Sequence, residues 1–422
     1  MPRRILGFWL VALALFMFMA AASAPSPLYV VYQAKWGFST PMLTVVFAVY
    51  VVALLVALVT VGRLSDYLGR RPVLFAALVV ETIGMGIFLQ ADGLGSLIVA
   101  RIVQGLATGA ATGTISATLV DLLPPGRARL GAMINSAVPL TGLALGALAS
   151  GLLVQFAGSP TTLVFAGLTA VFGLLALLVL ALPTTIARRP GALAALRPRL
   201  GVPRPARAAF LAASPVLVAT WAMGGLYLSL GASLTAGVLG VHNHVVAGLV
   251  VTVLAGAGAI AGIVGSSRDP GHVMTVGAGL LALGTIGSLI ALLDASAPGF
   301  FVGSAVAGAG FGAGFLGAFR SLSSLAPPDE RAGLFGAVYA VSYLGFSVPA
   351  VIAGVLAPRI GLRDTAVGYA AVVVVLASAV ALPRLRAGRT AAGRTAAGRT
   401  AAGRNPVPVA APACPRKPAP AE

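Results

Sequence analysis

Twelve times along its length the chain runs for about 20 residues with hardly a charge. At roughly 1.5 Å per residue, that is the length an α-helix needs to cross a hydrocarbon core roughly 30 Å thick. The stretches fall at 7–33, 41–61, 73–91, 96–119, 130–154, 161–182, 210–232, 245–265, 273–293, 299–319, 333–356 and 365–383. A chain built this way meets lipid over most of its surface. In lipid every backbone N–H and C=O must find its partner within the segment, so each stretch reads as a helix. The expected fold class is an all-α polytopic membrane protein with twelve transmembrane helices. Composition agrees: 59% of residues are hydrophobic and 9% charged, too little polar surface for a soluble globule.

The few charges are ordered along the chain. There are 28 Lys and Arg against 10 Asp and Glu, a net charge of +18. With a cytoplasmic N-terminus, alternation places Arg3, Arg4, Arg63, Arg70, Arg71, Arg127, Arg129, the arginines from Arg188 to Arg207, Arg268, Arg320, Arg331 and the tail cations inside. Only Lys35, Arg359 and Arg363 fall outside, and Arg101 lies within a span. The positive-inside rule then makes both termini cytoplasmic. The cations mark topology, whereas a nucleic-acid partner would require them clustered in a folded polar unit. Ala22-Ser23-Ala24 could end a cleaved signal, but Pro25 occupies the cleavage point and eleven spans follow, so the first stretch reads as an uncleaved helix. Cys414, the single cysteine, leaves no disulfide or thiolate metal site. The preference for arginine over lysine, with abundant Ala and Gly, suggests a GC-rich genome and a plasma-membrane location.

Residues 1–182 read as a six-helix half, 183–209 as a basic cytoplasmic linker, 210–383 as a second six-helix half, and 384–422 as a disordered tail in which Thr-Ala-Ala-Gly-Arg recurs. An offset of 203 positions aligns Gly62 with Gly265, Asp66 with Asp269, Gly105 with Gly308, Pro124-Pro125 with Pro327-Pro328 and Gly151 with Gly354. Two equivalent halves are the arrangement that lets a protein hold a site between repeats and open it to each side in turn. The polar residues are unequally shared: Arg101 and Gln104 align with Ser304 and Ala307.

After the second span comes Gly62-Arg63-Leu64-Ser65-Asp66-Tyr67-Leu68-Gly69-Arg70-Arg71-Pro72. Gly62 and Gly69 allow a tight turn and close helix approach, and Asp66 offers an anion to a helix N-terminus. The loop resembles the signature of the major facilitator superfamily, G-x-L-x-D-[RK]-x-G-[RK]-[RK], with Tyr67 in place of the usual base. The resemblance implies that Asp66 latches the halves together near the start of the eleventh span. Arg70 and Arg71 would then pair with Asp66 or with Asp121 at the end of the fourth span; the alternative is that the arginines only enforce topology.

The fourth span contains Arg101-Ile102-Val103-Gln104-Gly105, similar to the superfamily's R-x-x-Q-G signature. Arg101, Gln104, Thr108 and Thr112 share one helix face. An arginine within a span is costly and faces a cavity or a partner, unless it snorkels to the surface. In the fifth span Gly142, Gly146 and Gly151 partly resemble the antiporter signature G-x-x-x-G-P-x-x-G-G, with Ala147 and Ser150 departing from it; small residues here also serve close helix packing. Glu81 is the only acid well inside a span and reads as a proton relay or a structural hydrogen-bonding group. Pro25 and Pro27 open the first span, where Tyr29, Tyr32 and Gln33 are candidate substrate-lining residues, joined by Trp221, Tyr227, Phe311 and Phe315.

The expected function is secondary transport of a small organic molecule by alternating access, coupled to protons and directed outward. The alternatives are a metabolite uptake symporter or facilitator, and a non-transporting receptor or scaffold on the same fold. One buried base with aromatic surroundings suits an amphipathic or anionic compound. No cofactor, metal or nucleic acid is expected: His242-x-His244 is a polar turn, and no catalytic triad or phosphate loop appears. The expected partners are substrate, protons and the bilayer, and the expected state is monomeric.

Overall fold

The computed structural model describes residues 2–124, 126–184, 186, 189–196, 201–327 and 330–402. Among these residues twelve helical segments are long and apolar enough to cross a membrane. The first span is made of two helices, α1 (Pro2–Ser23) and α2 (Pro25–Trp36). Ala24 still donates to Ala20 O at 3.0 Å, but Pro25 and Pro27 have no N–H to continue the ladder, and the helix restarts. Then follow α3 (Thr40–Val61), the single turn α4 (Ser65–Leu68), α5 (Arg70–Leu89), α6 (Leu94–Leu122), α7 (Ala128–Phe156) and α8 (Pro160–Val179). Gly69, with φ +92°, turns the chain between α4 and α5 in a region that favours glycine.

A short helix, α9 (Ala192–Ala195), lies in the linker. The second half comprises α10 (Arg207–Gly237), α11 (His244–Gly265), α12 (Pro270–Leu293), α13 (Ala297–Ser323), α14 (Arg331–Ile360) and α15 (Leu362–Ala402). Asp269, the repeat mate of Asp66, is a helix cap whose Oδ1 accepts from His272 N–H at 2.7 Å. The outer surface is apolar: Leu6, Trp9, Phe156, Leu177 and Ile260 are all more than half exposed, as lipid-facing side chains are.

Glycines set the closeness of the helices. A Cβ at Gly277, Gly284, Gly303, Gly310 or Gly317 would collide with backbone across the α12–α13 seam. In the first half Gly105 and Gly109 seat α6 against α3 in the same way. The halves meet mainly where α11 packs on α7 and α14 packs on α3.

The backbone of α15 remains helical to Ala402, where composition predicts a disordered stretch from residue 384. In the repeats Ala and Arg favour a helix, whereas Thr and Gly disfavour one. The expectation of a disordered tail over 403–422, together with Cys414, lies outside the described residues, as do Pro125, Arg188 and Pro328.

Candidate functional site

The proline break in the first span leaves carbonyls without intrahelical donors. Ala21 O is the acceptor that the absent N–H of Pro25 would have used, and Gln104 Nε2 donates to it at 3.0 Å. Arg101 Nη1 reaches the next carbonyl, Ala22 O, at 3.4 Å. Ser150 Oγ, where the antiporter-like pattern has glycine, donates to Ala24 O at 2.6 Å. Gln104 on α6 thus takes the place of the donor missing at Ala21, while Arg101 and Ser150 add hydrogen bonds to Ala22 O and Ala24 O beside the break.

Arg101 is 1% exposed and does not reach the surface. Its Nε donates to Tyr29 Oη at 3.0 Å, its Nη2 donates to the same hydroxyl, and Nη1 donates to Gln104 Oε1 at 2.7 Å. Its guanidinium carbon stands 5.5, 5.1 and 5.7 Å from the ring centroids of Tyr29, Tyr50 and Phe88, within cation–π range. Among the described residues no carboxylate lies within ion-pair distance of it; both ion pairs belong to Arg70. The nearest acid in the network is Glu81 on α5, one amide away: Gln104 Nε2 donates to Glu81 Oε1 at 3.4 Å. Glu81 is fully buried, and its Oε2 has no partner among the described residues. A base and an acid are therefore enclosed together, joined through a neutral amide.

The second half has no room for such a group. The positions matching Glu81 and Gln104 are Gly284 and Ala307, and a Cβ at Gly284 would strike the Ala307 backbone. In place of the Arg101–Tyr29 contact, Tyr227 and Ser304 share a hydrogen bond of 2.7 Å.

Thr108 and Thr112 lie on the Arg101 face, but their hydroxyls donate to Gln104 O and Thr108 O, at 2.9 and 2.7 Å, within their own helix. Tyr32 is 2% exposed, stacks on Trp36 at 4.7 Å, and has a buried hydroxyl without a partner among the described residues; Gln33 donates to Phe38 O at 3.5 Å. Trp221 packs edge-on against Phe315 and Tyr343. Phe311 is buried near Gly224 and Gly258.

At the motif loop Arg70 Nε donates to Asp121 Oδ2 at 3.0 Å, and its Nη1 donates to Ser65 Oγ at 2.8 Å and to Asp66 Oδ1. Arg71 is half-buried in the first turn of α5. Among the described residues no hydrogen bond joins Asp66 to α14, and the Arg70 side chain binds Ser65, Asp66 and Asp121 of the first half. Side-chain hydrogen bonds between the halves lie away from this face. Ser26 Oγ donates to Leu228 O at 2.8 Å, Gln155 Oε1 accepts from His244 N–H at 3.0 Å, and Thr252 Oγ1 donates to Ala144 O at 2.9 Å. The fifth-span glycines divide between two tasks. A Cβ at Gly142 or Gly146 would strike α1, whereas one at Gly151 would sit 2.7 Å from His244 O, across the seam.

Tyr50 and Phe88 were not marked by any motif, yet both enclose Arg101. Tyr50 is an aromatic with a polar tip in the middle of an aliphatic span, and that is the one signal the sequence carried.

A sequence model of the Major Facilitator Superfamily matches residues 11–287. The MFS-type transporter gkaD of Penicillium citrinum is 35% identical over 101 residues, covering 24% of this chain and 17% of that protein. Multidrug resistance protein MdtM of Salmonella typhimurium is 35% identical over 130 residues, 30% of each chain. The putative multidrug resistance protein MdtD of Cronobacter sakazakii is 30% identical over 150 residues, 35% of this chain and 32% of that protein. The chain thus spans about a third or less of the length of these curated relatives. Among solved structures, a variant of the nucleoside transporter NupG superposes with a TM-score of 0.67 at 14% identity, covering 89% of this chain and 98% of that one. At that identity the likeness speaks for the fold alone.

Proposed function

This chain belongs to the Major Facilitator Superfamily, and from that premise we propose that it exports a small amphipathic organic compound in exchange for protons. The exporter is a plasma-membrane monomer with both termini cytoplasmic, and its halves, 1–182 and 210–383, rock about the seam between them. The names of the bacterial relatives, both multidrug resistance proteins, support the outward direction.

The observation that carries the reading is the enclosed set Arg101–Gln104–Glu81, with Glu81 Oε2 unpartnered. Two unit charges separated by one amide group attract by about 2 kcal/mol at an effective dielectric of about 20. A proton on Glu81 cancels that attraction and leaves the guanidinium to Tyr29, Gln104 and Ala22 O. About 2 kcal/mol shifts a two-state equilibrium roughly 30-fold, enough to couple protonation to a change of conformation. Since Gln104 and Arg101 also hold the broken first span through Ala21 and Ala22, the change at Glu81 reaches α1 and α2 directly.

The proton leaves one aqueous face, resides on the Glu81 carboxyl, and departs to the other as substrate crosses in the opposite sense. Hydrogen bonds between the halves away from the motif loop, with Asp66 bound among the described residues to Arg70 of its own half, support a reading of this arrangement as open toward the cytoplasm.

The test is flux in proteoliposomes holding the full chain, with an imposed pH gradient, a panel of amphipathic compounds and an internal pH dye. Substrate movement accompanied by opposite proton movement supports exchange. Substrate movement without proton movement, or no movement across the panel, contradicts it.

A further inference from the structure

Trp221 carries an indole N–H that is buried and unpartnered among the described residues. The ring stands edge-on to Phe315 at 5.4 Å, Tyr343 at 4.7 Å and Phe346 at 5.4 Å, with interplanar angles of 73°, 66° and 80°. These rings come from α13 and α14, and the apolar cluster that holds Trp221, Tyr343 and Phe346 includes Phe47 and Tyr50 of the first half. The indole therefore sits on the seam between the halves. One residue before Tyr343, Ser342 is fully buried with a hydroxyl that has no partner among the described residues.

A buried donor left unmade costs free energy, and a tryptophan in a core ordinarily has its N–H paired. Packing against three rings would be served as well by phenylalanine, which leaves nothing unsatisfied. Near the seam Tyr29 and Gln104 are held by Arg101, and Thr108 and Thr112 by their own helix, whereas the indole N–H and the Ser342 hydroxyl have no partner among the described residues. The indole donor at the seam is thus set among three rings in T-shaped contact with it, an aromatic wall against which a further ring can pack.

We infer that Trp221 is a specificity-determining residue whose Nε1–H donates to an acceptor atom on a planar aromatic substrate packed against Phe315, Tyr343 and Phe346. The inference rests on the proposal that the seam carries substrate. It selects among aromatic compounds by an acceptor, over and above shape and apolar area.

The probes are acridine and anthracene, which share a three-ring outline and differ by one ring nitrogen. Binding of each radiolabelled compound is measured at pH 8 to the purified full chain in lipid nanodiscs, for the native protein, Trp221→Phe and Trp9→Phe. The expected result is a preference of about tenfold for acridine in the native chain and Trp9→Phe, lost in Trp221→Phe, with anthracene binding unchanged. Unchanged anthracene binding also shows that the variant retains its fold. A preference that survives in Trp221→Phe, its absence from the native chain, or no binding of either probe overturns the inference. Acridine that binds with the predicted selectivity but is not moved in proteoliposomes supports the assignment of Trp221 and counts against transport instead.

Discussion

Replacing Gly151 by alanine tests whether the halves are shut against each other away from the motif loop. A Cβ there lies 2.7 Å from His244 O, 3.3 Å from Gly248 Cα and 3.4 Å from Gly248 N, and the reciprocal Cβ at Gly248 lies 2.6 Å from Ala147 O. All these neighbours are backbone, which cannot rotate aside as a side chain can. Ordinary contact begins at 3.4 Å, so α7 and α11 must separate by several tenths of an ångström at this level. Overpacking of this kind costs about 1–3 kcal/mol, and the strain exists only in the conformation that brings the two helices together. The equilibrium should move roughly 5- to 150-fold toward the state open on that face.

Spin labels at Ser159→Cys and Asp294→Cys, both exposed and on opposite halves, report the separation once Cys414 is changed to serine. Electron–electron distance measurement should show a longer-distance population growing at least fivefold in Gly151→Ala. Gly158→Ala, where a Cβ meets open space, should leave the distribution as it is. A folded Gly151→Ala protein with the native distribution would refute the claim that this contact holds one of two states.

Arg101→Met should lower the thermal midpoint, because Tyr29 Oη, Gln104 Oε1 and Ala22 O lose their buried donor and Glu81 loses its opposite charge, and it should lose at least tenfold in substrate flux; equal flux would detach Arg101 from transport. Pro25→Ala restores an N–H that can take Ala21 O from Gln104. It should raise stability by about 1–3 kcal/mol in a thermal or denaturant titration and lower flux, and unaltered flux would mean that the break has no working role.

The twelve spans and their break at Pro25 were legible because each depends on the chain's own sequence: apolar length for one, missing N–H groups for the other. Arg101 and Gln104 share a face by their spacing of three, and that too is local. The link from Gln104 to Glu81 was not legible, because it depends on how α5 is rotated against α6, which glycine contacts such as that of Gly84 beside Gln104 decide. Thr108 and Thr112 fell on the expected face, but a threonine in a helix can bond its own backbone, and these do.

The most direct measurement of the central claim compares two fluxes in Glu81→Gln proteoliposomes: accumulation driven by a pH gradient, and exchange of labelled for unlabelled substrate without one. Glutamine keeps the size and the hydrogen bond to Gln104 but cannot take up and release a proton. If Glu81 couples protons to transport, gradient-driven accumulation disappears while exchange continues at a rate close to native. Accumulation that persists at the native level would contradict the account.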